Sequence, residues 1–123
     1  MAVMMKILIA DDDEVMRDTL SALLAGEGYQ IIRAENGLEA LALAKKELPV
    51  LIMLDIHMPE LDGLKTCKAL KANPVTRAIP IIMLTVDGRI NEIRRAINYG
   101  AKTYITKPSS REEILKVVKS TLY

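Results

Sequence analysis

The run Val50-Leu51-Ile52-Met53-Leu54 most narrows what this chain can become. Five consecutive apolar residues leave no polar face, so a strand built from them must be covered on both sides. The run is also too short for a buried helix. It stops at Asp55, with Pro59 and the turn pair Asp62-Gly63 close behind. Doubly covered strands belong to parallel sheets, and a carboxylate at such a strand's C-terminal end lies on the rim where open α/β sheets hold ligands. On this stretch alone, Asp55 serves equally well as an acid that caps the next turn.

The same pattern recurs along the chain. Ile7-Leu8-Ile9-Ala10 runs into Asp11-Asp12-Asp13, and Tyr29 to Ala34 carries the β-branched pair Ile31-Ile32. Pro80-Ile81-Ile82-Met83-Leu84 ends at Thr85, and Lys102-Thr103-Tyr104-Ile105-Thr106 ends at Lys107-Pro108. Between these runs the apolar period changes to that of a helix. Met16, Leu20, Leu23 and Leu24 share one face of a helix that Asp13 is placed to cap and that Gly26 and Gly28 close. Asn36-Gly37 opens an Ala/Leu-rich helix through Glu47, stopped by Pro49. Leu64 to Ala72 forms a third, ended by Asn73-Pro74, with Val75 to Ala78 as a short polar loop. Asp87-Gly88 turns into a fourth, with Ile90, Ile93 and Ile97 on one face and Gly100 at its end. Ser110 and Glu113 have capping-box spacing at the start of the last, whose inner stripe is Ile114, Val117, Val118 and Leu122. Five strands alternating with five helices predict a single α/β domain over residues 1–123, a doubly wound parallel sheet with helices on both faces.

Composition agrees with an ordinary globular domain: half of the 123 residues are hydrophobic and 27% are charged. With no Trp or Phe, the core must be filled by Ile, Leu, Val, Met and Ala. The formal charge of +1 gives no support to a nucleic-acid surface. Cys67 is the only cysteine, so no intramolecular disulfide is possible, and its place in an amphipathic helix suits a packed apolar residue. The Met-rich start is interrupted by Lys6 and runs into three aspartates, unlike a secretion signal, and no stretch is long enough to span a bilayer. The expected location is the cytoplasm.

In a parallel sheet all strand C-termini reach one edge. That edge would gather Asp11, Asp12, Asp55, Thr85 and Lys107, residues far apart in sequence. Each alone fits a cap, a turn residue or a solvated side chain; their convergence points to a site. Three carboxylates and one ammonium leave a charge of −2, which calls for a counter-ion. Oxygen-only ligation suits Mg²⁺ or Mn²⁺, whereas zinc would want His or Cys. A divalent cation beside a lysine and a hydroxyl makes a cradle for an anion such as a phosphoryl group, with a carboxylate as nucleophile. Asp55, on the central strand, is the candidate nucleophile.

The run Ile7-Leu8-Ile9-Ala10-Asp11-Asp12, the segment from Leu54 to Gly63, Thr85, and Lys107-Pro108 resemble the receiver domain of two-component response regulators over essentially the whole chain. That resemblance implies a flavodoxin-like sheet of order 2-1-3-4-5. It implies that Asp55 accepts a phosphoryl group from a sensor histidine kinase or phosphotransfer protein. Asp12, Asp55 and the backbone carbonyl of His57 would ligate Mg²⁺, with Asp11 acting largely through a water. Lys107 would pair with Asp55 and then with the phosphoryl oxygens, and Thr85 would reach inward to them. Tyr104 matches the family's switch aromatic and would couple the site to the face of helix 4, strand 5 and helix 5. A downstream protein target and a phosphorylation-dependent dimer would use that face. A cis bond before Pro108 is also implied.

Val86, after Thr85, is bulkier than the small residue common in the family and would narrow access. His57 and Asp87, two residues beyond Asp55 and Thr85, occupy positions that tune hydrolysis of the acyl phosphate. His57 can be read as a catalytic base or a metal ligand, but as the only histidine, on a turn beside the site, it fits better a rim residue that tunes water access.

The resemblance implies a switch that catalyses only its own aspartyl phosphorylation and dephosphorylation, with no membrane or direct nucleic-acid partner. A phosphatase with an aspartate nucleophile would want a second acid where His57 stands. A flavodoxin-like cofactor binder would want a Ser/Thr/Gly-rich loop where Asp11-Asp12-Asp13 stands, and there is no Gly-rich nucleotide loop. A docking module without phosphorylation, and a receiver excised from a larger regulator, are the remaining alternatives.

Overall fold

A computed structural model describes residues 4–86, 89–107 and 109–123. The Asp87-Gly88 turn, the tuning position Asp87 and the bond before Pro108 lie outside the described residues. Five strands alternate with five helices: β1 (Lys6–Ala10), α1 (Glu14–Gly26), β2 (Gln30–Ala34), α2 (Gly37–Glu47), β3 (Leu51–Asp55), α3 (Gly63–Ala72), β4 (Ile81–Val86), α4 (Ile90–Asn98), β5 (Thr103–Lys107) and α5 (Arg111–Leu122). All neighbouring strands pair parallel, in the order β2-β1-β3-β4-β5. The expected architecture and order are both observed.

Every residue of β3 is buried, as a central strand with two covered faces requires. Alternation along the strands feeds two cores. Ile7, Ile9, Met53, Leu84 and Ile105 pack under α1 and α5 against Leu20, Leu24, Ile114 and Val118. Leu8, Ile52, Leu54 and Met83 pack under α2, α3 and α4 against Ala40, Ala44, Cys67, Leu70 and Ala96. Cys67 is fully buried, its thiol lies 3.9 Å from the Ala96 carbonyl, and burial pushes its pKa up to about 11. A thiol in that state is inert packing.

Side chains start the helices where expected. The Asp13 carboxylate accepts from the Val15 and Met16 N–H groups, and Ser110 Oγ accepts from the Glu113 N–H at 3.1 Å. Asn36 and Asp62 cap α2 and α3 in the same way. Strand limits shift by about a residue: Val50, Tyr29, Pro80 and Lys102 lie outside the strands, while Val86 and Lys107 lie inside. The 73–79 connection is less polar in practice than expected, since Thr76 is fully buried and its hydroxyl donates to the Leu70 carbonyl at 2.7 Å.

One helix is rolled relative to its apolar stripe. In α4 only Ala96 is buried, whereas Ile90 and Ile97 are exposed and Ile93 is half-buried. Their common face points beside the sheet rather than into it.

Candidate functional site

The strand ends converge as the topology demands. Asp11 directly follows β1, and its N–H donates to the Ala34 carbonyl at 3.2 Å, extending the ladder toward β2. Its side chain is fully buried, and Oδ1 accepts from the Asp13 N–H at 3.0 Å. Asp55 ends β3 in register with Leu84 and is 6% exposed. Lys107 ends β5 in register with Val86. Two-residue alternation from Ile9, Met53 and Ile105 turns Asp11, Asp55 and Lys107 to the same face. Lys107 Nζ stands 2.7 Å from Asp11 Oδ2 and 3.2 Å from Asp55 Oδ1, so the lysine bridges two acids and the shorter contact is to Asp11. Exposed Asp12 completes the group: Asp11, Asp12 and Asp55 each offer a carboxylate oxygen, all within 4.8 Å of one another.

The loop after β3 is folded back tightly against this group. The His57 N–H donates to Asp55 Oδ1 at 3.4 Å, and the Gly63 N–H donates to the Ile56 carbonyl at 2.7 Å. A Cβ on Gly63 would stand 2.0 Å from the Asp55 carbonyl oxygen, so the start of α3 lies directly on the backbone of Asp55. The His57 imidazole turns away from the acids. Its Nε2 lies 2.9 Å from Glu92 of α4, which also pairs with Arg89 at 3.5 Å.

Thr85 and Tyr104 stand apart from the charged group. Thr85 is buried, and its hydroxyl donates to the Val86 carbonyl at 3.2 Å. Tyr104, in register with Met83, is 44% exposed, as is Val86 at the end of β4.

The electrostatics follow from that packing. Burial, reinforced by the neighbouring charge of Asp11, raises the Asp55 pKa to about 7, although Lys107 pulls it down. Burial disfavours the Lys107 ammonium, but the two carboxylates outweigh it and hold its pKa above the usual lysine value. A carboxylate raised so far despite an ammonium at 3.2 Å lies in a site short of positive charge. An oxygen-only donor set with one solvent-facing member suits a hard divalent cation that keeps several waters.

The sequence pattern did not single out Arg17. Its guanidinium is buried under the site, donating to the Asp11 carbonyl at 2.6 Å and lying 3.6 Å from Glu35. The available signal was helical phase: Arg17 precedes Leu20 and Leu24 by three and seven residues, on the apolar face. Glu92 was missed as well, because nothing local links it to a histidine so far back in the chain.

This arrangement on this fold is that of a phosphorelay receiver. A family model for the response regulator receiver domain matches residues 7–119, and the chain belongs to that family of two-component signalling domains. It is 36% identical over 119 residues to Protein PilH of Pseudomonas aeruginosa, covering 97% of this chain and 98% of PilH. A putative response regulator from Chloroflexus aurantiacus superposes with a TM-score of 0.93 at 36% identity, covering 98% of each chain. The receiver domain of sensor histidine kinase PA1611 from Pseudomonas aeruginosa superposes with a TM-score of 0.89 at 25% identity, again over 98% of each chain. That structure has a magnesium ion coordinated in its active site cleft. The chain spans about half the length of other curated relatives, 49% and 47% in two cases. Among the described residues, no helix is long and apolar enough to cross a membrane.

Proposed function

We propose that this chain is a phosphorylation switch that accepts a phosphoryl group on Asp55 from a phosphohistidine of a sensor kinase or phosphotransfer protein. The observation that carries the proposal is the bridging of Asp11 and Asp55 by Lys107 beside exposed Asp12. An Asp55 oxygen attacks phosphorus, the P–N bond to the donor imidazole breaks, and the imidazole nitrogen keeps that electron pair. Lys107 is held where it can follow the charge from the carboxylate to the phosphoryl oxygens. Asp11, Asp12, Asp55 and the His57 carbonyl would hold Mg²⁺ or Mn²⁺, as the neighbouring PA1611 domain holds magnesium. Bound there, the cation supplies charge neutralisation for the transferring group. On this proposal the chain is no enzyme toward other molecules, and its chemistry is limited to forming and hydrolysing its own acyl phosphate in the cytoplasm.

Thr85 and Tyr104 serve as the relay. Among the described residues the Thr85 hydroxyl donates to the Val86 carbonyl, a bond it would leave, and half-exposed Tyr104 would turn with it. On this proposal the output face takes in the exposed Ile90 and Ile97 of α4 and the exposed Tyr104 of β5, side chains suited to a protein target or a second copy.

Beryllofluoride with Mg²⁺, a mimic of the acyl phosphate, tests the switch by amide NMR. Wild type should respond around Asp55 and also around Tyr104 and α4; Asp55→Asn should respond at neither. Thr85→Ala should keep the response at Asp55 and lose most of it at Tyr104. A full response at Tyr104 in Thr85→Ala would remove the threonine from the relay.

A further inference from the structure

The chain is nearly neutral as a whole but not locally. Residues 63–102 carry eight of the 17 Lys and Arg but only two of the 16 Asp and Glu, a local excess of six cations in a chain of net +1. The fold gathers part of this excess at one place. α4 has two unlike flanks: Ile90, Ile93 and Ile97 share one, while Glu92, Arg95 and Tyr99 share the other and lie toward α3. Between α3 and α4 a cleft of about 270 Å³ opens, with Ile56 and Leu64 in its lining. Lys65, Lys68 and Arg95 surround it, and Lys68 Nζ sits 5.5 Å from the centre of the Tyr99 ring. All three cations are exposed, and among the described residues none of them pairs with a carboxylate.

We propose that this α3–α4 cleft docks an acidic segment of a partner protein, with a carboxylate among Lys65, Lys68 and Arg95 and an apolar neighbour against Ile56, Leu64 and Tyr99. The positive potential there already acts on the protein's own groups: hydrogen bonding to Arg95, then its charge and that of Lys68, lowers the Tyr99 phenol below its usual pKa. Two acids at the cleft are already committed. Asp62 caps α3 by accepting from the Lys65 N–H, and Glu92 pairs with His57 and Arg89. They divide the positive surface, which suits separated carboxylates on a peptide better than the continuous charge of a nucleic-acid backbone. The site lies on the opposite flank of α4 from the Ile90–Ile97 face and needs no phosphoryl group.

A fluorescein-labelled peptide of Glu and Leu residues, titrated by anisotropy against the full chain, is the test. Wild type should bind more weakly as salt rises, and Asp55→Asn should bind as wild type does, which keeps this result separate from that of the phosphoryl-acceptor proposal. Lys68→Glu with Arg95→Glu should weaken binding about tenfold or more. Lys45→Glu with Lys46→Glu, an equal charge change on exposed positions of α2, should leave it within about twofold. Amide shifts should fall on residues 56–68 and 92–99. Equal loss in both double variants, shifts centred elsewhere, or tighter binding of a single-stranded oligonucleotide than of the peptide would each overturn the proposal.

Discussion

Replacing Asp55 by Asn should make the metal-free protein more stable at pH 8, not less, while ending its capacity for phosphorylation. The carboxylate is buried beside fully buried Asp11, and its pKa of about 7 lies well above that of an unfolded aspartate. Below pH 4 the group is protonated in both states and contributes nothing to the difference. Between pH 4 and 7 the unfolded chain releases the proton first, so stability falls as pH rises, and above pH 7 the full penalty is present. A displacement of that size corresponds to a few kcal/mol. Asn removes the charge, and Lys107 keeps its 2.7 Å partner in Asp11. Urea unfolding at pH 5 and pH 8 should therefore show wild type losing stability between the two, relative to Asp55→Asn. Added Mg²⁺ should restore much of the wild-type loss at pH 8, since a ligand that binds only the folded form stabilises it. If Asp55→Asn is no more stable than wild type at pH 8 without metal, the site is not short of positive charge.

The second large effect concerns a residue with no side chain. Gly63→Ala should destabilise the protein by about 4 kcal/mol or more. The added Cβ would lie 2.0 Å from the Asp55 carbonyl oxygen, 2.7 Å from Ile56 Cα and 2.8 Å from the Asp55 carbonyl carbon. All three are backbone atoms at the junction of β3 and its loop, so no side chain can swing aside. Relief would have to come from moving α3 off the strand or moving Asp55 out of the site. Gly26→Ala is the matched control, because a Cβ there meets nothing within 4 Å; its effect should lie within about 1 kcal/mol of wild type. Urea midpoints of the two variants decide the point, and a Gly63→Ala protein as stable as wild type would contradict the close packing of α3 on Asp55.

These two residues also mark where sequence was informative and where it was not. Asp55 was legible because an apolar run has only one way to end at a polar residue, and a parallel sheet puts all such ends on one rim. The same logic located Asp11, Asp12, Thr85 and Lys107, and the caps Asp13 and Ser110 were visible as local side-chain-to-backbone patterns. Gly63 was read as half of a turn pair, a local role. Its real constraint is contact with a strand eight residues back, which no local pattern encodes.

The stripe of α4 failed for a related reason. Periodicity finds that Ile90, Ile93 and Ile97 share a face, but not what that face meets, and here it meets largely solvent. Arg17 shows the reverse error, a cation on a helix's apolar face that is accounted for by the Asp11 carbonyl and the Glu35 carboxylate. Likewise the approach of Lys107 to Asp11 at 2.7 Å, closer than to Asp55 at 3.2 Å, depends on side-chain geometry that spacing alone does not fix.

The most direct test of Asp55 as phosphoryl acceptor is intact-mass measurement after incubation with acetyl phosphate and Mg²⁺. Wild type should gain the mass of one phosphoryl group, the gain should vanish when the metal is chelated beforehand, and Asp55→Asn should show none. A wild-type mass that never shifts, or an equal shift in Asp55→Asn, would contradict the assignment.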